Sequence, residues 1–137
     1  MLHDGLPSIY GSVQATLVFP ALAGSNKDAA CAGFLVGGMA GSFNPGANSF
    51  EAWEVALSPA GFLRLAAHKN DFKLLKQVNH VAVAVGKPIT LMVQMSPASG
   101  ATTATSGIRL KISVDGVQLI DFEVNRPTWT AGPVESP

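Results

Sequence analysis

GIRLKISVDGVQLIDFEV, residues 107–124, is the stretch that decides the fold. Within it Ile108, Leu110, Ile112 and Val114 alternate with Arg109, Lys111, Ser113 and Asp115. Successive side chains of a strand point to opposite sides, so a period of two marks a strand with one dry and one wet face. Asp115-Gly116 comes next. Asp tolerates the left-handed backbone region and Gly occupies it freely, so the pair predicts a two-residue hairpin turn. A second strand then runs from Val117 to about Val124, and the hairpin fixes the class as β.

The same alternation recurs upstream. Residues 89–96, ITLMVQMS, send Leu91, Val93 and Met95 one way. Residues 49–58, SFEAWEVALS, set Glu51, Trp53, Val55 and Leu57 opposite Phe50, Ala52, Glu54 and Ala56. Residues 62–69 and 72–78 read as a hairpin across an Asn70-Asp71 turn. Residues 12–19 place Val13, Ala15, Leu17 and Phe19 on one side. The apolar run 30–36, ACAGFLV, predicts a buried strand, and 80–85, HVAVAV, an extended piece that is either a short strand or an edge segment. Gly, Pro, Asn and Ser cluster in 20–28, 37–48 and 97–106, which read as loops. Pattern is lost from Asn125 onward. The expected organisation is a lead-in over 1–11, one domain over 12–124 and a tail over 125–137. Seven to nine short strands about ten residues apart, with no helical period, predict an antiparallel β-sandwich or barrel.

Composition narrows the function classes. The 137 residues suit one domain, and 47% hydrophobic against 13% charged residues is enough apolar material for a core. Nine basic and nine acidic residues cancel, which gives no electrostatic reason to expect nucleic acid or an anionic membrane as partner. No apolar run approaches the roughly 18 residues of a spanning helix, and the first residues show no signal-peptide pattern. A single cysteine, Cys31, cannot form an internal disulfide. No histidine is spaced to serve it as a base, so it reads as a small buried strand residue.

The order of these pieces resembles the concanavalin A-like lectin/glucanase superfamily, in the laminin-G-like form attached to secreted glycoside hydrolases. The matching pieces are Ala32 to Val36 (AGFLV), Ser49 to Leu57 (SFEAWEVAL), Leu63 to Val78 (LRLAAHKNDFKLLKQV), Ile89 to Val93 (ITLMV) and Ile108 to Phe122. The resemblance covers about residues 12–124. Gly37 and Gly38 stand where relatives often carry Arg, and 125–137 supplies only Trp129 as an echo of the usual closing strand. The resemblance implies a jelly-roll sandwich that can lack its last strand, leaving an exposed edge open to dimerisation. It also implies a place in a larger, secreted glycan-processing protein, extracellular or periplasmic, beside a parent catalytic domain.

Carbohydrate binding is the first functional expectation. Aromatic rings take the apolar face of a sugar, and amides and charged groups take its hydroxyls. Glu51, Trp53, Arg64, His68 and Asn70 are the candidate ligand-binding residues. Four of them also have a simpler reading. Trp53 shares a face with Val55 and Leu57, as a core residue would. Arg64 pairs with Glu54 across strands, His68 is a strand-end surface residue, and Asn70 serves the turn. A glycoside hydrolase is the second expectation, but it would need two carboxylates on one face, and Glu51 and Glu54 are three apart with no Asp between them. The third is a structural sandwich without a ligand. No cofactor or metal is expected, since Asp28, Asp71, Asp115 and Asp121 are scattered among turns.

Overall fold

The structure, a computed structural model, describes residues 11–21, 30–36, 51–69, 72–98 and 108–124, the side chains of residues 51 and 69 excepted. Among the described residues eight strands form two four-stranded antiparallel sheets. The first sheet has the order β1 (Gly11–Leu17), β6 (Ile89–Pro97), β7 (Ile108–Val114), β8 (Val117–Val124). The second runs β2 (Ala32–Val36), β3 (Glu51–Ser58), β4 (Phe62–Lys69), β5 (Phe72–Asn79). The second sheet is thus a meander of consecutive strands. The first is a meander of the last three, closed on one side by β1.

The facing sides of the sheets share one apolar layer. Trp53, Val55, Leu57, Leu63 and Leu65 from the second sheet meet Leu91, Val93, Ile108, Leu110 and Ile112 from the first, all of them fully buried. The architecture is a β-sandwich, in which each inner face removes the other from water. The inward positions of β1, β6 and β7 are those the alternation selects. Asp115 and Gly116 have φ of 50° and 82°, so the turn uses two left-handed residues, as a tight hairpin of this hand requires. The Asp115 N–H also donates to the Thr90 carbonyl at 2.8 Å, and Asp115 Oδ1 accepts from the Thr90 N–H at 2.9 Å. The turn is therefore pinned to β6.

Three expectations change. Residues 80–85 join no ladder. They cross from one sheet to the other at the open end, anchored where the Val81 N–H donates to the Gly61 carbonyl. Val81 and Val83 pack on the core while Ala82 and Ala84 face out. β2 is a half-exposed edge strand rather than a buried one, with Leu35 58% exposed, because it has a ladder partner on one side only among the described residues. Cys31 is exposed and not buried, because it precedes β2 and shares parity with the outward Gly33 and Leu35. The lead-in over 1–10, the loop over 37–48, the Asn70-Asp71 turn and the tail over 125–137 lie outside the described residues.

Trp53 should be the largest single contributor to the layer. Trp53→Ala is expected to lower unfolding free energy by about 3–5 kcal/mol, read by urea denaturation. Gly33 has the opposite problem, since a Cβ there would land on the Val55 backbone carbonyl, which cannot rotate away. Gly33→Ala is expected to cost about 1–3 kcal/mol in the same assay, although the residue is exposed.

Candidate functional site

The candidate site lies on the outer face of the second sheet. Glu54 of β3 sits directly across from Ala66 of β4, with Arg64 and His68 two residues to either side. Long side chains reach such diagonal neighbours across a sheet. Arg64 Nε donates to Glu54 Oε2 at 2.7 Å, and His68 Nε2 lies 2.8 Å from Glu54 Oε1. Facing a carboxylate, that ring nitrogen is the donor. Both oxygens of Glu54 are thus held, one from each side.

Aromatic and sulfur contacts extend this knot. Phe72 pairs with His68 across β4 and β5, and the rings meet edge to face at 5.4 Å. The Arg64 guanidinium lies 5.3 Å from the centre of the Phe72 ring, within reach of a cation–π attraction. Arg64 Nη2 also points to Cys31 Sγ at 3.8 Å. Beneath these groups the strands carry small residues. Ala52, Ala56 and Ala66 are buried although they face outward, so they lie covered beneath their larger neighbours. A depression of about 180 Å³ opens beside them, lined by Cys31, Gly33, Leu35 and Glu54 among others.

A bulge puts Phe72 on this face. Ala66 pairs with Leu74 but Leu65 pairs with Lys76, so Leu75 is the extra residue on β5. One extra residue reverses the parity of a strand. Phe72 and Leu74 therefore stay outside, 46% and 47% exposed, while Leu75 and Val78 turn to the core.

The candidate residues read from the sequence separate. Arg64 and His68 come together on Glu54. Trp53 lies in the core with no exposed surface, because its parity is that of Val55 and Leu57, so its ring offers no face to a ligand. Asn70 and the side chain of Glu51 lie outside the described residues. The β3–β4 ladder runs unshifted from Glu51 to Ser58, so no bulge brings positions 51 and 54 onto one face. Glu54 and Phe72 belong to the cluster and were not among those candidates. The signal for Phe72 is the phase slip in FKLLKQV, where Leu74 and Leu75 are adjacent. Among the described residues no group of three or more His, Cys, Asp or Glu is placed to hold a metal ion.

Burial pushes the Glu54 carboxyl up, but the hydrogen bonds and charges of His68 and Arg64 outweigh it and hold it below the ordinary value of 4.5. A carboxyl depressed in the folded state stabilises the fold above its unfolded value, and that contribution is lost as pH falls through the folded one. Glu54→Gln is expected to cost about 1–2 kcal/mol at pH 7. The gap between wild type and variant should shrink as the pH is lowered below about 4.5, read by denaturation at a series of pH values.

No family model, no curated protein and no solved structure matches this chain, so its functional reading rests on the residues and geometry above.

Proposed function

We propose that the sandwich is of the concanavalin A-like, jelly-roll kind and that the outer face of β2–β5 binds carbohydrate. The domain would then be a lectin-like or accessory module of a larger glycan-processing protein. The observation that carries this reading is the half-exposed Phe72 ring standing beside the Glu54–Arg64–His68 knot. A sugar presents an apolar ring face and a fringe of hydroxyls. An exposed aromatic ring flanked by charged hydrogen-bonding groups complements both.

The roles follow from what each group has left to offer. Glu54 accepts one bond at each oxygen, and a carboxylate has about four acceptor positions, so further hydroxyl donors fit. Arg64 has five N–H donors and spends one on Glu54 and one on the Cys31 sulfur. Because Arg64 and His68 fix Glu54 in place, ordering it costs little on binding. The same contacts favour the ionised carboxylate, which suits a hydroxyl acceptor and not a general acid. The strands that end the two sheets among the described residues, β1 and β8, β2 and β5, would serve contact with a parent domain or a second copy.

A glycan array tests the reading. Wild type is expected to bind a subset of glycans. Phe72→Ala and His68→Ala should each lose most of that signal while keeping the wild-type circular dichroism. Flat binding by folded wild type across the array, or binding indifferent to Phe72→Ala, would overturn it.

A further inference from the structure

A second concave feature lies away from this face, at the end of the sandwich. It is a cavity of about 380 Å³ between the exit of β5 and the β7–β8 turn. That volume falls in the range of about 300–1,000 Å³ typical of small-molecule sites. Val78, Val81 and Leu119 give it apolar walls, and Asn79, His80 and Asp115 supply its polar groups. Val117, also in the lining, is 60% exposed, an apolar side chain left facing water at the turn.

Two features of the backbone shape this cavity. His80 has a φ of 62°, a left-handed conformation that residues other than glycine adopt infrequently. That turn ends β5 and sends residues 81–84 across the open end. On the other side a bulge at Leu119 (Ile112 pairs with Ile120 but Ser113 with Gln118) widens β8 next to the turn. Strained backbone beside a cavity is a common setting for ligand binding.

Charge selects the ligand class. Among the lining residues Asp115 alone carries a full negative charge, and none is Lys or Arg. Asp115 Oδ1 is held by the Thr90 N–H, which orients the carboxylate and leaves most of its acceptor positions open. We infer that this cavity is a second binding site, for a small organic cation: an ammonium group on an apolar body, with the cation at Asp115 and the body against Val78, Val81 and Leu119.

The test is a titration of the ¹⁵N-labelled chain with benzylammonium, and with benzyl alcohol as its neutral counterpart. Saturable shifts confined to residues 78–82 and 114–119 are expected with benzylammonium, and about fivefold weaker binding of the alcohol, the size of one partly exposed ionic contact. Asp115→Asn keeps a residue that tolerates the left-handed turn and an oxygen for the Thr90 N–H, so it should remain folded. In that variant the preference for the cation should vanish. Absence of saturable shifts in these segments, equal affinity for the two probes in wild type, or a preference that survives in Asp115→Asn would each overturn the proposal.

Discussion

The structure depends on a single apolar layer shared by two sheets. Neither sheet could stand alone, because each has one face made of Val, Ile, Leu and Trp side chains that must leave water. Closing one sheet over the other fixes the parity of every strand, since a slip by one residue would carry its apolar set to solvent. Once the inner positions are assigned to the core, the outer positions are assigned too. What the protein can present to a ligand is therefore decided by what its alternation leaves outside.

The two outer faces are different in kind. On the first sheet Arg109 forms a bidentate pair with Asp121, at 2.7 and 2.6 Å. The hydrogen bond from Arg109 is the first cause holding the Asp121 carboxyl below its ordinary value. Around the pair the face carries Gln, Thr, Ser and Lys, groups content in water. On the second sheet the outward positions hold Ala52, Ala56, Ala66 and Gly33, with Leu35, Phe72 and Leu74 exposed around them. The alanines are closed over by their larger neighbours, and the Glu54 carboxylate is held among them by Arg64 and His68.

The sequence makes the strands legible, because alternation between water and core is a local pattern that needs no knowledge of partners. It is least informative where the pattern serves something other than a ladder. HVAVAV alternates as cleanly as a strand, but its valines plug the end of the sandwich and, among the described residues, its backbone joins no ladder and is held instead by the Val81 N–H bond to the Gly61 carbonyl. ACAGFLV is apolar throughout, but no local signal tells an edge strand from a central one, since that depends on which strands lie beside it. Site residues follow the same division. Arg64 with Glu54 could be read as a cross-strand pair from spacing alone. That His68 completes the pair from the other side depends on the β3–β4 register, which two separated stretches of sequence do not declare.

Phe72 and Trp53 show why parity outranks residue type. By chemistry Trp53 is the better sugar platform, with the larger ring and a polar edge. By position it cannot serve, because its neighbours two residues away are core residues, and a strand that exposed Trp53 would have to expose Val55 and Leu57 with it. Phe72 lies on a strand that would bury it if the alternation ran unbroken to Val78. The extra residue at Leu75 removes that constraint: the second half of β5 feeds the core, and the first half is released to the surface. A bulge disturbs the ladder locally, and on an edge strand that disturbance is easily borne. Here its consequence is that β5 contributes to the core and to the outer face at once, which a regular strand of the same sequence could not do.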